Sequence, residues 1–303
     1  MPKLRISIVE YLNTAPLVWG FAEGPLVGKY DLSFALPSEC AESLRRGESD
    51  VAIIPAIEYQ RIENLVALPN ISVAAKGEVR SILVVAKKPI EMAQRIALDT
   101  SSRSSAALVR LLARELWQID PAWIDAEPEP SEMLTRADAA LVIGDPALRV
   151  SLKWEALNSK APSDGACCQG DIEDMPVPGY ETLFIYDVAH QWRELTGKPC
   201  VLAIWAGRRD LITPEVVADF HASKQYGVSR IREIAEAASI KLDTPPRALE
   251  RYLTDNINFD LDAENLAGLH LYFEKAAAAG LIRSARPVEF VNAPAASTAG
   301  RGA

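Results

Sequence analysis

Histidine is nearly missing from this 303-residue sequence: only His190, His221 and His270 occur, each within a segment of helical pattern. No two are spaced as metal ligands, and none sits where a strand meets a helix, which argues against a metalloenzyme. The four cysteines, Cys40, Cys167, Cys168 and Cys200, show no C-x-x-C spacing and are expected to be free thiols, with Cys167 and Cys168 at the surface. There is no G-x-S-x-G elbow, which disfavours a Ser-His-Asp hydrolase. No run approaches the roughly 20 apolar residues of a membrane helix. Basic stretches are also missing, and the net charge is −9. Neither nucleic acid nor a membrane is therefore expected as a partner, and an anionic ligand must be held by local donors. The start, Met1 to Ile6, enters a strand and lacks the apolar core of a signal peptide, so a cytoplasmic protein is expected.

What the sequence does have is a recurring junction, an apolar strand running into a polar helix start. Ile6–Val9 leads into Tyr11-Leu12-Asn13-Thr14-Ala15-Pro16, Arg95–Leu98 into Asp99-Thr100-Ser101-Ser102-Arg103-Ser104-Ser105, and Ala139–Ile143 into Gly144-Asp145-Pro146. In an open parallel sheet such junctions lie at the carboxyl ends of the strands, where ligands bind. Each offers unpaired N–H groups and the positive end of a helix dipole. Hydrophobic residues at 49% and charged residues at 24% are ordinary for a globular chain of this size.

Strand and helix alternate along the first 75 residues. Leu4–Val9, Leu32–Leu36 and Val51–Ile54 read as strands, with helices at Ala15–Phe21 and from Pro37 to Arg46, the latter capped by Gly47. A second βαβ series follows the strand Arg80–Ala86, and Thr213–Ala279 is almost entirely helical in pattern. The fold class expected is α/β, with two βαβ lobes, parallel-rich sheets and two crossover strands. One lobe takes residues 1–86 and 200–284, and the inserted lobe takes 87–199. A polar loop is expected over Asn158–Gly179, and a disordered tail over 285–303. Ligand would sit between the lobes.

Five hydroxyls in the six positions Thr100–Ser105 exceed what a helix cap needs. They read as a carboxylate cradle, with Thr100 a contributor and Ser104 and Ser105 in the first helical turn as main donors. Gly144-Asp145-Pro146 fits a helix start with Asp145 as N-cap. A ligand contact by Gly144 or Asp145 is an equal alternative. Arg80 either pairs with a substrate carboxylate or faces solvent, and Ser81 is the better contact. Glu58 more plausibly anchors its loop than meets an anion. Trp19 and Trp205 either wall the cleft or belong to the core.

These segments, with Asp50-Val51-Ala52-Ile53-Ile54-Pro55-Ala56-Ile57-Glu58-Tyr59 and Val79-Arg80-Ser81, keep their order from about residue 3 to residue 280. Together they resemble the chorismate dehydratases of the futalosine route to menaquinone. The resemblance implies a type II periplasmic-binding-protein-like fold, no cofactor, and loss of water from chorismate to give 3-[(1-carboxyvinyl)oxy]benzoate. It gives no oligomeric state. A sister family with the same fold, 1,4-dihydroxy-6-naphthoate synthase, uses a histidine base that no junction here supplies. A non-catalytic small-anion binding protein is the reading from a different class. On residues alone, Asn13 caps the helix that follows it. The resemblance instead makes it the catalytic candidate, a neutral amide facing the leaving hydroxyl or a carboxylate. No side chain stands out as general base, so the substrate's own enolpyruvyl carboxylate is a candidate for that role.

Overall fold

The computed structural model describes residues 3–158 and 183–291. Cys167, Cys168, the tail beyond 291 and the expected polar loop, apart from Asn158, lie outside the described residues.

The first sheet has the order β2-β1-β3-β10-β4. Strand β1 (Arg5–Val9) pairs in parallel with β2 (Asp31–Ala35) and β3 (Val51–Pro55). Between β1 and β3 run α1 (Ala15–Ala22) and α2 (Pro37–Arg46). Helix α2 starts where the sequence says it should. Pro37 occupies its first turn, Glu39 accepts from the Leu36 N–H at 2.9 Å, and Gly47 closes it at φ 72°. A single turn, α3 (Glu58–Arg61), follows β3, and β4 (Leu65–Ala75) comes next.

The second sheet has the order β7-β6-β8-β5-β9. It is built from β5 (Ile82–Ala86), β6 (Arg95–Asp99), β7 (Ala122–Ala126), β8 (Ala139–Ile143) and β9 (Phe184–Asp187). Its helices are α4 (Arg103–Glu115), α5 (Pro130–Arg136), α6 (Gly144–Asn158) and α7 (Val188–Thr196). The chain then returns as β10 (Cys200–Arg208), antiparallel to both β3 and β4. It finishes with α8 (Pro214–Val228), α9 (Ile231–Leu242), α10 (Pro246–Arg251), a π-turn over Tyr252–Asn256, and α11 (Ala263–Ala278).

Three expectations need correction. Both sheets are mixed rather than parallel-rich, because β10 and β5 each run antiparallel to two neighbours. Strand β5 belongs to the second sheet, so the first crossing precedes residue 82 instead of following residue 86. Its all-buried apolar sequence fits a central strand of either sheet, which is why the sequence could not place it. Residues 285–291 are ordered: Phe290 bridges to Ala67, the Ala67 N–H donates to the Glu289 carbonyl at 2.8 Å, and Val288 is buried.

The two lobes are docked, not merely linked. One continuous apolar core runs from Ile53 and Trp205 in the first sheet to Val84 and Ile96 in the second and Leu108 of α4. A smaller cluster around Leu83, Val85 and Leu134 covers the other face of the second sheet. Hydrogen bonds cross the gap from the Leu12 N–H to Asp145 Oδ1 (3.0 Å), the Ile57 N–H to Ser104 Oγ (3.1 Å) and the Tyr272 hydroxyl to the Ser104 carbonyl (3.0 Å). Arg103 of α4 adds ion pairs to Glu42 and to the fully buried Glu58, which also holds Arg45 and Arg61. Glu58 is thus an anchor. Trp205 is core, edge-on to Phe220 at 4.8 Å.

Helices α1 and α8 approach closely enough to need glycine. A Cβ on Gly227 would stand 2.1 Å from the Pro16 carbonyl oxygen, a backbone atom that cannot turn aside. Gly227→Ala should therefore destabilise the protein by about 2 kcal/mol through overpacking, measured by thermal or urea unfolding. An unchanged midpoint would show that the two helices separate freely.

Asp145 supplies a test of the interlobe clasp. Its carboxyl pKa is raised, first by burial and against the opposing Leu12 N–H bond and the charges of Lys241 and Arg149. The folded protein therefore binds this proton more readily than the unfolded chain, so wild-type stability gains as pH falls through the group's titration, above the usual carboxylate range. Asp145→Asn keeps an acceptor for Leu12 and removes the buried charge. Its melting temperature should equal or exceed wild type at pH 7, and the difference should shrink on acidification. A deficit at pH 7 that disappears in acid would reverse the assignment.

Candidate functional site

The carboxyl ends of β1, β3 and β8 and the start of α4 converge on one small cavity between the lobes, of about 60 Å³. Its polar wall is Tyr11, Asn13, Thr14, Ser81, Ser102, Ser104, Ser105 and Gly144, and its apolar wall includes Val9, Pro55, Ile82, Ile143 and Leu202. No charged side chain and no histidine is among these residues. The starts of α1, α4 and α6 all border it, so backbone N–H groups and helix dipoles supply the positive potential in an acidic protein.

Asn13 lies in a 3₁₀ turn, Leu12–Thr14, between β1 and α1. The cap position of α1 is Thr14, with no side-chain cap bond, so Asn13 is not the cap that its sequence position allowed. Its Oδ1 accepts from the Thr14 hydroxyl at 3.3 Å, and its amide borders the cavity. Ser81 receives a 2.8 Å hydrogen bond from the hydroxyl of Tyr252, a residue that nothing in the sequence singled out.

The Thr100–Ser105 cluster divides. Ser102, Ser104 and Ser105 line the cavity. Ser104 Oγ accepts from the Ile57 N–H, leaving its proton free for a ligand. Ser101 instead donates to Asp99 Oδ1 at 2.6 Å. Thr100 is exposed and opens on a separate shallow groove beside Arg103, Arg110 and Asp125. Thr100 does not border the cavity, because the turn out of β6 faces it away.

Arg80 likewise does not border the cavity. Its guanidinium pairs with Glu155 at 2.6 Å, and its backbone adopts φ 61°. Asp145 accepts from Leu12 and lines an outer, mostly apolar pocket with Trp19, Val18, Ile234 and Lys241. Neither Asp145 nor Trp19 borders the inner cavity. Helix α6 starts at Gly144, one residue before the expected cap.

Gly144 does border the cavity. Its N–H donates to the Ser81 carbonyl at 2.8 Å, and its φ is 66°. A Cβ there would meet the Tyr11 ring at 2.5 Å, so glycine is required both by conformation and by the ring lying over it. That ring borders both the inner cavity and the outer pocket. The Tyr11 phenol is pushed up to about 12, mainly by burial and then by the Asp99 charge, against a hydrogen bond with Ser101. At neutral pH it is a neutral hydroxyl, so the cavity wall consists of uncharged donors and acceptors.

Comparison with known proteins agrees with this architecture. The menaquinone biosynthesis family matches residues 4–278. A chorismate dehydratase from Thermus thermophilus is 29% identical over 272 residues, covering 89% of this chain and 93% of its own. Among solved structures, a protein from Archaeoglobus fulgidus superposes with a TM-score of 0.69 at 19% identity, over 92% of this chain and 98% of that one. The periplasmic aliphatic sulphonate binding protein of Escherichia coli gives 0.59 at 15%, over 95% and 96%. These structural likenesses establish a fold of the type II periplasmic-binding-protein kind. The family match spans the cavity and both lobes that form it, and the chain belongs to the menaquinone biosynthesis family.

Proposed function

We propose that this protein is a chorismate dehydratase, eliminating water from chorismate to give 3-[(1-carboxyvinyl)oxy]benzoate without a cofactor. The observation that carries the reading is the uncharged cavity wall of hydroxyls, one amide and helix starts, together with the likeness to the Thermus thermophilus chorismate dehydratase. Removing the hydrogen on ring carbon 3 sends charge through the ring double bond into the ring carboxylate. Loss of the hydroxyl from carbon 4 then makes the ring aromatic. Aromatisation supplies the driving force, so the protein has to position the substrate and stabilise developing charge.

Ser104, Ser105 and the start of α4 fit the ring carboxylate, as neutral donors beside a helix dipole. Asn13 and Ser81 fit the leaving hydroxyl or the enolpyruvyl carboxylate. None of the lining side chains is a base at neutral pH. The enolpyruvyl carboxylate of the substrate is the proton acceptor most compatible with this wall, and the departing hydroxide leaves with that proton as water. A histidine-dependent reaction of the 1,4-dihydroxy-6-naphthoate synthase kind has no histidine to use among the lining residues.

Purified protein incubated with chorismate should yield an aromatic product followed by its absorbance and mass. Chorismate that shifts the melting temperature but remains intact would support the small-anion binder that the sulphonate-binding likeness allows. Asn13→Ala should lower turnover by about 10²-fold, the scale of losing one transition-state donor, while the melting temperature changes by a few degrees at most. Parallel losses of activity and stability would mean that Asn13 only supports its turn.

A further inference from the structure

Tyr252 stands behind the cavity wall, 2% exposed and absent from the lining itself. It opens the π-turn that ends α10. Such turns are rare and occur frequently at functional sites. The phenol comes from the carboxyl-terminal helices, whereas Ser81 immediately precedes the second sheet, so their bond joins elements 171 residues apart.

The hydrogen-bond polarity follows from counting protons. Tyr252 has one hydroxyl proton and places it on Ser81 Oγ at 2.8 Å. Ser81 then keeps its own proton, and the nearest protein acceptor, the Val79 carbonyl, lies at a long 3.4 Å.

We propose that Tyr252 is a positioning residue that fixes the hydrogen-bond polarity of the cavity wall, making Ser81 a donor into the cavity. This deepens the dehydratase reading and rests on it. A buried hydroxyl that could rotate between donor and acceptor would stabilise charge in the transition state less well than one set in advance. Tyr252 therefore acts on turnover through Ser81, without touching the substrate.

The test is a double-mutant cycle of Tyr252→Phe and Ser81→Ala, following kcat and KM for chorismate, melting temperature, and product affinity by titration. Phenylalanine keeps the ring and its packing. In the wild-type background Tyr252→Phe should lower kcat about tenfold or more, with KM and product affinity changed by less than about threefold. In the Ser81→Ala background the same substitution should cost markedly less, because its route of action is already gone. A lowered melting temperature with unchanged kcat would overturn the proposal, as would an equal cost in both backgrounds. Wild-type protein inert toward chorismate would overturn the functional reading and this inference together. Active wild type with an unaffected Tyr252→Phe variant would remove only the role of Tyr252.

Discussion

The carboxylate of Asp187 accepts hydrogen bonds from four backbone N–H groups, those of Val79 (3.0 Å), Arg80 (2.6 Å), Ala189 and His190 (3.0 Å each). Two of these belong to the segment entering β5, and two to the first turn of α7. One side chain therefore caps a helix and pins the chain where it passes from one lobe to the other. Burial raises its pKa most strongly, and the amides oppose that shift only in part, as expected for a buried charge solvated by backbone dipoles instead of water. The left-handed conformation of Arg80 is held on one side by this carboxylate and on the other by Glu155. Ser81 follows directly, and its placement in the cavity depends on both.

From that pinned crossing outward, the site avoids charge. The ionic groups between the lobes, Glu58 with Arg45, Arg61 and Arg103, lie beside the cavity and are satisfied among themselves. Their Coulombic attraction serves docking of α4 against α2 and α3. The cavity is left to hydroxyls, amides and helix ends, a wall that would hold the proposed anionic substrate less firmly than an arginine would. Such a wall suits a reaction in which charge moves from one end of the substrate to the other.

Much of this was legible in the sequence wherever a local rule decides the outcome. Pro37, Glu39 and Gly47 delimit α2 by capping chemistry that needs no partner, and the clustered hydroxyls of Ser102 to Ser105 mark a helix start facing the cavity. The sequence says less where a distant partner decides. Arg80 and Asp145 are residue types that bind anions or cap helices, yet Glu155 and the Leu12 N–H, far along the chain, claim them. Thr100 differs from Ser102 only in which way one turn faces. Strand β4 contains Pro69 and the left-handed Asn70, breakers that hide an 11-residue strand whose pairing with β10 shifts register around them. Tyr252 gave no signal because a buried tyrosine in a helical run looks like core, and its hydroxyl partner is 171 positions away.

Strand β10 lies between β3 and the edge strand β4, in a sheet whose other members were all made more than 120 residues earlier. Until residues 200–208 emerge from the ribosome, β3 and β4 have no neighbour to join them, and the first sheet is two unconnected pieces. The second sheet has every strand in place once β9 is synthesised. Domains fold largely as units during synthesis. The inserted lobe is thus the first to be completed, and the lobe that begins the chain is the last to be born.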